Sequence, residues 1–163
     1  AMKLFLTISL ILSSLLTVGQ GTYEPVTFGG ATHGIMVYRP SEYNANPTKH
    51  YPTIIYLVGA SEVGSDSTKT YAVGPNWAVN NGWNGEVTLG DSTFKCLIIT
   101  FQRDGNSSSP ATTVRGIDTI LTRYRVDTMR TYITGVSLGM QTTVRMYTEQ
   151  GLSELNFTKY KRF

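Results

Sequence analysis

The sequence predicts an α/β protein in which helices flank a mostly parallel sheet. Two continuous apolar runs, Thr53–Val58 and Lys95–Phe101, have the length and β-branched content of strands buried on both faces. A helical periodicity follows at Val114, Ile117, Ile120, Leu121 and Tyr124. Beyond residue 20 the chain alternates short β-rich and helical patterns, with no internal repeat or low-complexity tract.

The first unit is residues 1–19. Ala1 precedes Met2 and reads as a cloning scar. Lys3 precedes an apolar run from Leu4 to Leu16, and small residues follow, which is the layout of a secretory signal peptide. The run is shorter than the ~20 residues of a spanning helix, so no membrane anchor is expected once the signal is removed. Thr17 and Gly19 sit at −3 and −1 of a cut that leaves Gln20 as the mature N-terminus. The expected location is therefore secreted or periplasmic, with residues 20–163 forming one domain of ordinary size.

Ile35–Tyr38 reads as a strand ending at Arg39-Pro40, and Ser41–His50, with Asn44, Asn46 and Pro47, as a loop. Thr53–Val58 is the next strand, and Gly59 follows it directly. The Gly-, Asn-, Ser- and Thr-rich stretch Gly64–Asp91 reads as a long loop-like excursion with a short helix near Trp77–Asn81. Lys95–Phe101 is the third strand. Ser109 is a good N-cap and Pro110 suits the first helical position, so a helix opens there with the apolar face named above. Thr131–Thr134 returns to a strand, and a helix runs from Met140 to about Gln150.

Charged residues make up 15% of the chain and the net charge is +3, with Lys and Arg scattered apart from Lys159, Lys161 and Arg162. No basic stripe marks a nucleic-acid partner. The single cysteine, Cys96, excludes an internal disulfide; within its apolar run it reads as a buried, inert thiol. No Cys/His grouping has metal spacing and no phosphate-binding glycine loop is present, so neither metal nor cofactor is expected.

The chemistry lies in Gly135-Val136-Ser137-Leu138-Gly139, a G-x-S-x-G motif between a strand and a helix. That context matters because the Ser of a nucleophile elbow occupies a sharp strand-to-helix turn, and glycines are needed where strand and helix approach. A tight turn whose Ser merely caps a helix is the alternative. The block Val126–Gly139 resembles the "VD-x-x-R-I-Y-x-T-G-x-S-M-G" block of secreted esterases in the α/β-hydrolase superfamily, namely the polyhydroxybutyrate depolymerase, feruloyl esterase and predicted peptidase group. Tyr51–Gly64 resembles "YP-x-hydrophobic-L-H-G-x-G-E-x-G", the strand and oxyanion loop of the same group. The resemblance covers roughly residues 32–147.

By this resemblance the fold is an α/β-hydrolase sheet and Ser137 is the nucleophile, between elbow glycines Gly135 and Gly139. The backbone N–H of Leu138 supplies one oxyanion donor and that of Ala60 the other. The implied activity is hydrolysis of a small-molecule or polymeric carboxylic ester through an acyl-enzyme. A peptidase or acyltransferase on the same elbow, or a non-catalytic binding remnant, are the alternatives. The chain departs from the group's pattern at Val58, where the group has His, at Ser61 in place of Gly, and at Met140 in place of a small residue.

In this fold the triad runs Ser, then Asp or Glu, then His. The chain has two histidines, His33 and His50, and both precede Ser137. Both read as exposed or structural imidazoles, and Glu149 and Glu154 as helical surface acids. The triad is thus incomplete, and the reading is of an α/β-hydrolase domain truncated after its elbow. An unpaired sheet edge at Thr131–Thr134 would then favour self-association. Glu62 and Asp66 read as solvated loop acids, with substrate contact as the alternative. Trp77 and Trp83 read as anchoring indoles or as the lining of an aromatic-ester pocket. Asn106 and Asn156 head glycosylation sequons, which matter only in a eukaryotic secretory host.

Overall fold

The computed structural model describes residues 20–28, 31–103 and 109–149. Residues 1–19, where a signal peptide is expected, both sequons, Glu154 and the basic tail lie outside them. The described residues hold seven strands: β1 (Thr22–Phe28), β2 (Ala31–Arg39), β3 (Tyr51–Leu57), β4 (Glu86–Leu89), β5 (Ser92–Lys95), β6 (Leu97–Phe101) and β7 (Val126–Gly135). Three α-helices accompany them: α1 (Gly74–Asn80), α2 (Pro110–Arg123) and α3 (Leu138–Glu149).

Five strands form one sheet in the order β1-β2-β6-β3-β7, and β4 and β5 form a separate hairpin. β2 is antiparallel to both β1 and β6, while β6, β3 and β7 are mutually parallel. Four of the five strands therefore point the same way, as the continuous apolar runs required.

β6 is buried along its whole length and β3 almost so, because helices cover both faces of the sheet. Ile55, Leu57, Leu97, Ile99 and Phe101 face one way and form the main core with Ile117 and Ile120 of α2 and Met146 of α3. Tyr38 and Ile98 face the other way, against Val79 of α1, with Tyr23 and Trp83 packed alongside. Truncating a side chain such as Ile117, which is fully buried, would cost about 2–5 kcal/mol.

α2 forms as its sequence dictates. The Ser109 hydroxyl accepts a hydrogen bond from the Thr112 N–H at 3.3 Å, and Pro110 occupies the first turn. Val114, Ile117, Ile120 and Tyr124 are buried together.

Two expectations need correction. The run Lys95–Phe101 is not one strand. Lys95 closes the β4–β5 hairpin, the Cys96 N–H turns aside to the Gly85 carbonyl at 2.8 Å, and the sheet strand begins at Leu97. The excursion Gly64–Asp91 is also less loop-like than expected. It holds a 3-10 turn (Ser67–Ala72), helix α1 and the first strand of the hairpin, whose two-residue turn is Gly90-Asp91.

β7 is longer than the run Thr131–Thr134. Val126 pairs with Tyr51, and pairing resumes at Thr131 with Thr53, so the intervening residues of β7 bulge out. Asp127 organises this bulge: its carboxylate accepts from the Met129 N–H at 3.0 Å and from Arg130 Nε at 2.7 Å. The Thr131 hydroxyl donates to the Asp127 carbonyl at 2.9 Å. The Arg130 guanidinium in turn lies 4.5 Å from the centroid of the Phe94 ring on the hairpin. Among the described residues β7 pairs with β3 on one side only.

Candidate active site

β3, β6 and β7 end at the same level, since Leu57 is in register with both Phe101 and Gly135. The segments leaving these ends build the site. β7 turns at Val136-Ser137 into α3, and Ser137 is exposed. Its φ is 49°, the one positive φ at a non-glycine residue among those described. A left-handed serine costs an L-residue about 1–2 kcal/mol, and strain of this kind concentrates at functional turns.

The flanking glycines are enforced by close approach. A Cβ on Gly135 would lie 2.7 Å from the Leu57 carbonyl oxygen and 2.9 Å from the Gly139 carbonyl carbon. A Cβ on Gly139 would collide with the Leu57 carbonyl oxygen and lie 2.7 Å from that of Val58. The Val136 N–H donates to the Leu57 carbonyl at 3.2 Å, and the Gly139 N–H to the Val136 carbonyl at 2.8 Å, which fixes the turn. A helix-capping serine in an ordinary turn would need neither the strained φ nor the crowded glycines.

Leu138, the expected oxyanion donor, is the first residue of α3, where the backbone N–H has no partner within the helix. Ala60 opens a 3-10 turn, Ala60–Glu62, and its N–H is free of the turn for the same reason. The loop bearing Ala60 abuts the elbow: a Cβ on Gly59 would be 3.4 Å from Val136 Cγ1. Ser137, Leu138 and Ala60 thus converge on one end of the sheet. The chain has Val58 where the group carries His, and this residue is fully buried, its N–H bonded to the Phe101 carbonyl at 3.3 Å.

Neither histidine joins them. His50 precedes β3, so the length of that strand, more than about 20 Å, separates it from Ser137. His33 lies in β2, two residues beyond Ile35, which pairs with Phe101. That places its backbone at the same end of the sheet but three strands across, about 14 Å away. Direct proton transfer needs hydrogen-bond distance. Glu149 ends α3 and pairs with Arg145 on the exposed helix surface.

Two residues not singled out in the sequence brace the site from β6. Gln102 donates through Nε2 to the carbonyls of Glu62 and Asp66, both at 2.7 Å, clamping the loop after β3. Arg103 donates through Nη1 to the Leu138 carbonyl at 3.2 Å and the Thr142 hydroxyl at 2.6 Å, holding the first turns of α3. Their signal was a polar pair ending a buried strand at the level of the elbow.

The two loop acids part company. Asp66 is exposed and caps the second 3-10 turn; the Thr68 hydroxyl and then the Thr68 N–H hold its carboxyl below the usual range. Glu62 is buried rather than solvated, which corrects the expectation for it. Trp77 is exposed, whereas Trp83 donates to the Glu86 carbonyl at 2.7 Å and packs on the smaller core cluster. Cys96 is buried, and burial pushes its thiol up to about 11. Among the described residues no cluster of three or more His, Cys, Asp or Glu is placed to hold a metal. No described helix is long and apolar enough to cross a membrane.

The sheet order, the strained serine turn and the flanking helices define an α/β-hydrolase-type fold. Solved structures agree. A thermostable esterase superposes with a TM-score of 0.51 at 21% identity, over 82% of this chain and 40% of its own. A ferulic acid esterase gives 0.50 at 18% identity, over 74% of this chain and 52% of its own. A candidate dipeptidyl aminopeptidase IV from Bacteroides ovatus gives 0.51 at 16%, over 80% of this chain and 20% of its own. The chain thus spans about half or less of the length of each structure. No family model and no curated protein matches it.

Proposed function

We propose that this chain carries the nucleophile and oxyanion loop of a secreted serine hydrolase acting on carboxylic esters. The observation that carries the reading is Ser137, held at φ 49° between two glycines with no room for a Cβ. In the proposed reaction the Ser137 hydroxyl oxygen attacks the ester carbonyl carbon. The oxyanion is met by the N–H groups of Leu138 and Ala60, each donor worth on the order of 3 kcal/mol. The alcohol leaves with a proton, and water then releases the acid from the acyl-enzyme.

Accepting the serine proton needs a general base, and no described imidazole is within reach of Ser137. An unassisted hydroxyl is a weak nucleophile. The chain by itself should therefore show little turnover of p-nitrophenyl acetate, and Ser137→Ala should change that little. That no described imidazole lies near Ser137 also favours a second reading, a binding remnant on a hydrolase fold. Prolonged exposure to a neutral fluorophosphonate separates the two. The hydrolase reading expects slow modification confined to Ser137, located by peptide mass and lost in Ser137→Ala; no modification, or modification elsewhere, would refute it. Export is part of the same proposal. Intact mass of material from a secreting bacterium should show a chain beginning at Gln20, and a soluble periplasmic product retaining residues 2–19 would contradict it.

A further inference from the structure

The loop that carries Ala60 is tied at both ends by backbone bonds. The Val58 N–H donates to the Phe101 carbonyl at 3.3 Å, and the Gly64 N–H to the Arg103 carbonyl at 2.7 Å. The turn between them, Ala60–Glu62, has no side-chain cap of its own, and the Val58 side chain offers it no polar group. Gln102 reaches it from the end of β6. This residue is 1% exposed, and its Nε2 directs both hydrogens at loop carbonyls, those of Glu62 and Asp66, each at 2.7 Å. Glu62 closes the 3-10 turn that Ala60 opens, so the bond to its carbonyl holds the whole turn at one distance from β6.

The other half of the carboxamide shows how strongly this contact is favoured. Gln102 Oε1 is buried with no hydrogen-bond partner among the described residues. An unpaired buried acceptor is costly, yet turning the amide over would be worse, since Oε1 would then face two carbonyl oxygens. The strand behind it fits this orientation. The Gln102 N–H is anchored on the Gly34 carbonyl at 2.7 Å, and a Cβ on Gly34 would lie 2.5 Å from Gln102 Oε1. Gly34 is thus crowded against the carboxamide, and a side chain there would displace it.

We propose that Gln102 is a positioning residue that sets the Ala60 N–H as an oxyanion donor, acting through the loop without touching a reacting atom. This rests on the hydrolase reading for the use of that N–H, but its placement can be read without any reaction. Two variants probe it. Gln102→Met keeps the length of the side chain and removes its donors, while Gly34→Ala keeps Gln102 and displaces its carboxamide. In proton–nitrogen correlation spectra of the unmodified chain, both should shift the Ala60 amide and leave the amides of α2 in place. The rate at which a neutral fluorophosphonate modifies Ser137 should fall about tenfold or more in both, because a displaced donor loses much of its hold on the developing oxyanion. Ile117→Val, which lowers stability from within the main core, should leave that rate unchanged. An unshifted Ala60 amide in a folded variant would overturn the proposal, and Gly34→Ala keeps this decisive if Gln102→Met does not fold. A rate that falls as far in Ile117→Val would overturn it too, by making the effect one of stability. Modification of Ser137 at the native rate in both variants would sink this inference alone. No modification of Ser137 in the native chain would instead refute the hydrolase reading, and the donor role with it.

Discussion

Gly139→Ala sets two physical effects against each other. Gly139 is in the first turn of α3, where alanine is favoured over glycine by about 1 kcal/mol of helix propensity. The added methyl would enter backbone, however: the Leu57 carbonyl carbon would be 2.6 Å away and the Val58 oxygen 2.7 Å. β3 cannot retreat, because it is hydrogen-bonded between β6 and β7. Overpacking typically costs about 1–3 kcal/mol, and collision with the backbone of a central strand belongs at the top of that range. The net loss is then roughly 2 kcal/mol, or about 6 °C in Tm for a domain of this size. Differential scanning calorimetry or thermal circular dichroism on the purified pair is the assay. A Tm equal to or above the unmodified chain would refute the reasoning, since it would mean that the strand and helix do not approach as described.

Three further outcomes are expected. Ser137→Gly should be more stable than Ser137→Ala by about 1 kcal/mol in urea unfolding, because glycine alone relieves the positive φ; an alanine variant of equal or greater stability would contradict the strain. Cys96 should resist a neutral-pH disulfide reagent until the chain unfolds. Its thiol ionises near 9.0 in the unfolded state and about 11 in the folded one, so stability present below pH 9 should decline as pH rises towards 11, and a flat profile there would count against this burial effect. The chain should self-associate, since among the described residues β7 is paired on one side only and Met129, Val136, Met140 and Val144 are each exposed by about half; light scattering that finds a concentration-independent monomer would overturn this.

What could be read from the sequence was local. Ser109-Pro110 announces α2 because an N-cap acts on its own helix turn, and the buried face of that helix follows from a 3.6-residue period. The elbow was legible because G-x-S-x-G compresses a strand, a strained turn and a helix into adjacent residues. What was missed depends on partners remote in the chain. Cys96 leaves the apolar run because Gly85, across the β4–β5 hairpin, takes its N–H. Gln102 and Arg103 acquire meaning from the carbonyls they reach across the sheet. Glu62 reads as an ordinary loop acid until the fold shows how deeply it is set.

The bulge held by Asp127 uncouples chain length from the placement of the nucleophile. Register on the elbow side is fixed by the pairing of Thr131–Gly135 with β3, whatever length of chain bridges back to Val126. Residues added or removed at positions 128–129 would change the size of a surface protrusion and leave the residues that aim Ser137 where they are. The approach to the elbow strand is thus a splice point, where length variation can accumulate or be introduced with little mechanical consequence for the turn it feeds.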